Sequence, residues 1–337
     1  MFQVIITDHV EPPAALEVRE LASIAQVNCL LAPNTAALVG RVEDADALII
    51  FHEVTITKEI IAGLRKCRVI VRGGVGYDNV DLKAAGDRGI FVCNVPDYGV
   101  DEVADHAVML TLACNRGMAR SERTLRRSLV PWGFQAIEPV QRLAGKTMGI
   151  VGFGRIGSAT ALRAKAMRMR VIAYDPYLRP GLEKSFGVEL VDLDTLLAQS
   201  DVVSLHTPLT DETRGLINAR TLSKMKRTAL LVNTARGAMV DTAALAEALT
   251  AGTISGAGID VLPHEPATTS EPLIRLWQQD DPVINLIVTP HTAFFSDAGA
   301  EEMRSKAAQE VARVLRGEAP KNCVNREFLN QARQIEA

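Results

Sequence analysis

The sequence predicts an α/β protein built from two doubly wound parallel sheets. Three observations predict it. Short runs rich in valine and isoleucine alternate with helical patterns through almost the whole chain, which is the signature of βαβ units. The 337 residues, 47% of them hydrophobic, exceed what one core usually holds, since a domain takes roughly 100–200 residues. The strand candidates also fall into two sets, five before residue 100 and six after residue 146, with a long helical stretch between them.

In chain order the first set is "VIITD", "IAQVNC", "ADALIIF", "RVIVRG" and "GIFVCN", with "TKEIIAGLRK" and "NVDLKAAGDRG" as helical connections. From Asp101 to Ser128 there is no proline and one glycine, and Val103, Ala107, Leu110, Cys114 and Met118 recur at helical spacing. That spacing predicts one long, largely buried helix of roughly 40 Å at 1.5 Å per residue. Asp101 is its expected cap, and Pro131 and Gly133 mark its exit. "SLVPWGFQAIEPVQRLAGK" has no strong period and reads as a connection, an arm suited to packing on another subunit. The second set is "TMGIVG", "RVIAYD", "DVVSLHT", "TALLVNTA", "ISGAGIDV" and "INLIVTPH", enough for two mononucleotide-binding halves in one sheet. The amphipathic stretch from Ser296 to Pro320 is expected to return to the first domain. The predicted domains are therefore residues 1–100 with 293–337, and residues 101–292, with a cleft between them.

Composition narrows the function classes. A net charge of −3 from 37 basic and 40 acidic residues gives no excess for nucleic acid or an anionic membrane. No apolar run approaches the 18 or more residues of a bilayer span, and "MFQVIITDHVEPP" has no secretory signature, so a cytoplasmic protein is expected. Cys29, Cys67, Cys93, Cys114 and Cys323 form no CxxC pair and read as reduced thiols, with no metal site indicated.

"VGFGRIG" (Val151–Gly157) is entered by a strand and left by a helical pattern, the context in which these glycines bind a dinucleotide. Gly152 permits the sharp turn, Gly154 lets the backbone approach a pyrophosphate, and Gly157 lets helix pack close to strand. The helix N-terminus then offers unpaired N–H groups to the phosphates, and Arg155 a charge-assisted contact. Asp175 follows about 20 residues on, at a strand tip, where a carboxylate accepts from ribose hydroxyls and repels a 2′-phosphate. NAD (as NADH in reduction) is expected over NADP. The other reading of Asp175 is a turn cap before Pro176.

Three later strand ends carry polar residues: "LVNTARG" with Arg236, "GAGIDVLPHEP" with Asp260 and Glu265, and "LIVTPHTAFF" with His291. Ligands of open α/β sheets bind beyond these ends. Arg236 offers a planar fork for a carboxylate, His291 exchanges a proton near neutral pH, and Glu265 is suited to orient it. Singly, each is also a surface arginine, a loop histidine or a solvated glutamate. His206 ends another strand in the cofactor's half, where ribose or phosphate contact is the better reading, and His264 adjoins Glu265.

"VGFGRIG…YDP", "LHTPLTDETRGLI", "LVNTARGAMVD", "GIDVLPHEP" and "TPHTAFFS", five segments in order over nearly the entire chain, resemble the signatures of the D-isomer-specific 2-hydroxyacid dehydrogenases. The resemblance implies a flavodoxin-like substrate domain and a Rossmann NAD-binding domain. It places the catalytic arginine, glutamate and histidine on Arg236, Glu265 and His291, and the nicotinamide carboxamide ligand on Asp260. It assigns Ile156, His206, Thr207, Pro208, Thr213, Thr234 and Ala235 to the cofactor alongside the residues above. "RGGVGYDNVD" resembles the substrate loop, where the N–H groups of Gly74, Val75 and Gly76 hold the substrate carboxylate. Within the family, "VRGGVGYDNVDLKAAGDRGIFVCNVP" and the tail "MRSKAAQEVARVLRGEAPKNCVN" look closest to the C-terminal binding proteins, corepressors that retain the dehydrogenase fold. Arg72 matches their substrate-facing arginine, while Phe294 stands where they carry tryptophan. The implied activity is NAD-dependent interconversion of a small 2-keto acid and its D-2-hydroxy acid in a homodimer. The alternative is an NAD-sensing dimeric scaffold.

Overall fold

The inner strands are buried on both faces, as unbroken apolar runs in parallel sheets require. A computed structural model describes residues 1–130 and 132–330 and divides the chain into two compact units, Met1–Gly99 with the segment from Ser296 on, and Val100–Phe295.

In the first unit, β1 (Phe2–Ile6), β2 (Ala25–Cys29), β3 (Ala47–Ile50), β4 (Val69–Arg72) and β5 (Phe91–Asn94) form one parallel sheet in the order β2-β1-β3-β4-β5. The strand order reverses between β1 and β3, so the ligand crevice of such a sheet lies at their carboxyl ends. The crossovers are α1 (Ala15–Leu21), α2 (Lys58–Gly63) and α3 (Leu82–Asp87), of which α1 carries no signal picked out above. Thr57 and Asp81 cap α2 and α3 by accepting from Ile60 and Ala84 N–H. Ile5, Leu48, Ile50, Ile70 and Val92 build the core with Ile60 and Ile61 of α2 and Leu64 at its C-cap.

In the second unit, the predicted single long helix is two: α4 (Val100–Asn115) and α5 (Met118–Arg127). Gly117 breaks it by taking φ +62°, a left-handed conformation open to glycine. Asp101 is not the cap but lies in the first turn of α4, where its carboxylate accepts from Arg163 Nη2 at 2.8 Å. The connection beyond α5 is tied back by Arg120, which donates to the carbonyls of Ile137, Glu138 and Pro139. Its Leu129, Val130, Trp132 and Phe134 are exposed, while Pro131 lies outside the described residues.

From there the chain alternates strand and helix: β6 (Thr147–Val151), α6 (Arg155–Ala166), β7 (Arg170–Tyr174), α7 (Leu182–Phe186), β8 (Glu189–Leu190), α8 (Leu193–Gln199), β9 (Val202–Leu205) and α9 (Ala219–Leu222). It continues with β10 (Leu230–Asn233), α10 (Thr242–Thr250), β11 (Gly256–Ile259), α11 (Pro272–Gln278) and β12 (Leu286–Val288). All seven strands are parallel, in the order β12-β11-β10-β9-β6-β7-β8. The seventh, β8, went unpredicted because its two residues are exposed at the sheet edge and form no apolar run. Among the described residues, no helix is long and apolar enough to cross a membrane. The cysteines are free, and burial pushes the Cys67 and Cys114 thiols up to about 12.

The last helix, α12 (Asp297–Leu315), belongs to the first unit and packs on α1, β3 and β4. One ion pair staples it there: Arg304 meets the fully buried carboxylate of Glu17 through Nε and Nη2, both at 2.7 Å. A buried carboxylate deprived of such a fork remains desolvated and uncompensated. Arg304→Ala is therefore expected to lower stability by about 3 kcal/mol, and Arg304→Lys to restore only part because it loses the fork. Urea midpoints of the three proteins check this; an unchanged midpoint for the alanine variant would show that Glu17 does not depend on its partner.

Candidate active site

Close packing at the turn after β6 dictates two of its three glycines. Gly152 takes φ +91°, and a Cβ there would lie 2.6 Å from Thr207 Cγ2; one on Gly157 would lie 2.0 Å from the Gly152 carbonyl oxygen. Gly154 differs, because a Cβ there would meet none of the described residues within 4 Å. Its bare backbone faces open space and caps α6 without any side-chain hydrogen bond, leaving the first amides of a twelve-residue helix for an anion. Arg155 is exposed beside it and Ile156 half-buried. Asp175, just past β7, accepts from Phe153 N–H at 2.9 Å and Tyr177 N–H at 3.0 Å. The carboxylate thus caps its own turn and also clamps the glycine loop. Two of its roughly four lone-pair sites are thereby used.

Beyond β9, Thr213 Oγ1 donates to the Pro208 carbonyl at 2.7 Å and Thr207 Oγ1 contacts Met239 Sδ, which folds the 206–213 loop onto the sheet end. His206 is paired with Ser204 Oγ at 2.9 Å, and burial pushes its imidazole down to about 4. It is therefore neutral at pH 7 and unsuited to donate a proton. At the end of β10, buried Asn233 accepts from Ala235 N–H and donates to the Arg236 carbonyl, setting the 234–236 turn. Thr234 Oγ1 in that turn is buried with no hydrogen-bond partner among the described residues. An orphaned hydroxyl, a bare helix N-terminus and a clamped glycine loop on one sheet end fit a dinucleotide.

Arg236 is half-buried and donates through Nη1 to the Ala235 carbonyl at 2.8 Å. The next residue, Gly237, sits against the 262–263 backbone: a Cβ would lie 1.9 Å from the carbonyl carbon of Leu262. The loop bearing Glu265 can reach the Arg236 loop only because residue 237 has no side chain. Sequence reasoning passed over this glycine, whose one signal is its place directly after Arg236.

His291 Nδ1 lies 2.6 Å from Glu265 Oε2, and Glu265 Oε1 accepts from Leu262 N–H at 2.8 Å. Burial raises the Glu265 carboxyl, but the His291 hydrogen bond and charge, the Leu262 amide and the Arg236 charge together leave it below its ordinary value. The Glu265 carboxyl thus feels both Arg236 and His291. His264 is exposed alongside.

His291 itself takes φ +53°, unusual for a residue with a Cβ. Asp260 holds it there. The buried Asp260 carboxylate accepts from Thr289 Oγ1 at 2.6 Å and from the N–H groups of Thr292 and Ala293 at 3.0 Å, while the Asp260 carbonyl accepts from His291 N–H at 2.8 Å. His106 on α4 extends the chain, its Nε2 3.0 Å from Thr289 Oγ1. Burial lowers the His106 pKa against the opposing pull of Asp260, so its neutral ring donates from Nε2 to a hydroxyl whose own proton goes to Asp260. Thr289 and His106 were not singled out in the sequence. Phe294 stacks edge-on to His291, with ring centroids 6.1 Å apart.

The expected substrate loop lies in the first unit, after β4. Gly74 takes φ +148°, and a Cβ there would fall 1.4 Å from Arg72 Nη1, so the buried guanidinium lies over that glycine and donates to the Gly73 carbonyl. Asn94 Nδ2 anchors the Val75 carbonyl at 2.6 Å. The Gly74 N–H is already given to the Arg72 carbonyl at 2.9 Å, which leaves Val75 and half-buried Gly76 as the loop's expected carboxylate donors.

Comparison with known proteins gives the same family for most of the chain. Residues 108–293 match the D-isomer specific 2-hydroxyacid dehydrogenase, NAD binding domain. The chain is 41% identical over 303 residues to a glyoxylate reductase of Korarchaeum cryptofilum, covering 88% of each protein. It is 38% identical over 322 residues to a D-3-phosphoglycerate dehydrogenase of Mycobacterium bovis, a match that takes 96% of this chain but only 58% of that longer protein. The crystal structure of D-lactate dehydrogenase from Aquifex aeolicus, complexed with NAD and lactic acid, matches with a TM-score of 0.83 at 29% identity, over 93% of this chain and 96% of that one. A doubly wound NAD(P)-binding sheet with its polar residues gathered at the strand ends, and relatives of this closeness, place the chain in the D-isomer specific 2-hydroxyacid dehydrogenase family, as a dehydrogenase acting on CH–OH groups with NAD(P).

Proposed function

We propose that the chain interconverts a small 2-keto acid and its D-2-hydroxy acid, with NAD preferred over NADP, and that His291, Glu265 and Arg236 carry the chemistry. The observation that supports this most is the 2.6 Å contact between His291 Nδ1 and Glu265 Oε2, with the Arg236 charge felt at the same carboxylate. The Gly152–Gly157 loop, Asp175 and the 206–213 and 234–236 turns would hold the nicotinamide cofactor, which would supply or accept the hydride. In reduction, His291 as imidazolium gives its Nε2 proton to the keto oxygen; in oxidation the neutral ring takes it back. Glu265 orients the ring through Nδ1 and stabilises its positive form. Arg236 binds the substrate carboxylate or its reacting oxygen through a fork that lysine lacks. Phe294 gives His291 an apolar neighbour, and the amides of Val75 and Gly76, with Arg72, are the proposed carboxylate contacts of the first unit.

The relatives' names, glyoxylate reductase and D-3-phosphoglycerate dehydrogenase, favour an enzyme over a corepressor-like scaffold. The first points to a short keto acid. The exposed Leu129, Val130, Trp132 and Phe134 support a homodimer that covers them.

Three outcomes are expected. Asp175 makes kcat/KM higher with NADH than with NADPH, and Asp175→Ala narrows the gap; equal efficiency with both cofactors in the unmodified protein would remove the assignment. The second concerns pH. Because the Glu265 pKa is depressed, the group stays ionised as pH falls until that lowered value is reached, and at neutral pH its charge favours the imidazolium. Glyoxylate reduction should therefore persist as pH falls until Glu265 protonates, below the ordinary carboxylate range, and Glu265→Gln, which has no charge to lose, should abolish that acid limb while lowering kcat/KM by about tenfold. A limb that stays in place would uncouple the two residues. Gly237→Ala, finally, should lower kcat by about tenfold or more, since the new methyl forces the Leu262–Pro263 backbone, and Glu265 with it, away from Arg236. Near-normal kcat in a folded Gly237→Ala protein would show that the two loops do not need this approach.

A further inference from the structure

A second group of chemically active side chains stands in the first unit, on loops other than the one that carries Arg72 to Gly76. His9 follows β1, and His52 and Glu53 follow β3; all three are exposed, and one ligand-type atom from each lies within 4.8 Å of the others. The His9 and His52 ring centroids are 5.2 Å apart. β1 and β3 are the neighbouring strands at which the order of this sheet reverses, so the cluster occupies the place where open α/β sheets bind their ligands.

We propose that His9, His52 and Glu53 form a binding site for a divalent transition-metal cation, Zn²⁺ foremost. Two imidazoles and a carboxylate are a three-ligand set that suits zinc and leaves its fourth position to water or an anion. Imidazole donors also select against Mg²⁺ and Ca²⁺, which take oxygen. With zinc bonds of about 2.0–2.2 Å, tetrahedral ligand atoms stand roughly 3.4 Å apart. Small rotations of exposed side chains close the present spacing to that value.

The backbone beneath is already held. Asp8, fully buried, accepts from Phe51 N–H and Glu53 N–H, both at 2.9 Å, and from Thr7 Oγ1 at 2.6 Å. One carboxylate next to His9 thus grips the residues on either side of His52, so the loops that carry the ligands move as one piece. Asn79 Nδ2 adds bonds of 2.8 Å to the carbonyls of Phe51 and Val54. His9 is held at φ +67°, a left-handed conformation costly for a residue with a Cβ. That arrangement matches what a metal site needs in its supporting contacts.

The test is calorimetric titration of ZnCl₂ into the full chain freed of metal by a chelator, with MgCl₂ as the comparison. The expected result is one strong zinc site per chain, with Kd about 10 µM or tighter, and no comparable uptake of magnesium. His9→Ala and His52→Ala should each weaken zinc by about tenfold or more, and Glu53→Gln by less. Added Co²⁺ should give visible d–d absorption that the His9→Ala/His52→Ala double variant lacks. These residues are exposed, so thermal melting of the variants should stay near that of the parent. Zinc binding unchanged in the double variant, or abolished instead by His291→Ala, would overturn the proposal, as would a Kd near 1 mM. Keto-acid reduction measured on the same proteins reports separately on the dehydrogenase reading.

Discussion

The carboxylate of Asp260 is taken out of water at the carboxyl end of β11, and a buried charge of that kind persists only when its lone pairs are filled. They are filled by one short stretch of chain: Thr289 Oγ1 and the amides of Thr292 and Ala293. The chain that supplies three donors to one carboxylate has little freedom left, and His291 sits in the middle of it with a left-handed backbone. The strain in His291 is thus maintained by a local hydrogen-bond demand, which sets where its imidazole stands relative to Glu265. The His291–Glu265 pair inherits its geometry from a residue that grips the 289–293 backbone.

Glycine does the complementary work on the other side of the pair. The Arg236 and Glu265 loops leave adjacent strands, β10 and β11, and their backbones approach until no Cβ fits at residue 237. The same logic brings the turn after β6 against the 206–207 backbone at Gly152, and α6 against that turn at Gly157. Gly154 is the exception that carries information, since none of the described residues crowds it. Three glycines in one motif therefore serve two physical purposes: tight packing at the first and third, open backbone at the second.

The first unit repeats the carboxylate device in a different place. Asp8, at the end of β1, is buried and spends its oxygens on the 51–53 loop, much as Asp260 spends its own on the 289–293 loop. Parallel strands end at one edge of the sheet with their connections still to make, so a single carboxylate there can gather two loops that are distant in sequence. In each case the gathered loop carries imidazole.

The two parallel sheets and the glycine turn between β6 and α6 were legible in the sequence because their signals are local, whereas Arg236, Glu265 and His291 were each ambiguous alone and were picked out by the resemblance of whole segments. An apolar run is a buried strand whatever surrounds it, and glycine spacing between a strand and a helix retains its meaning in any context. β8 was not legible, since two exposed edge residues carry no pattern. The break at Gly117 was missed because a lone glycine is tolerated in many helices; here its left-handed backbone ends α4 and starts α5. The neutrality of His206, the crowding at Gly237 and the grip of Asp260 on residues 289–293 involve atoms brought together across strands. Sequence alone determined which residue types stand at the strand ends. Tertiary structure decided which of them meet, because burial, shared donors and van der Waals contact are properties of atoms in space and have no trace in the order of residues along the chain.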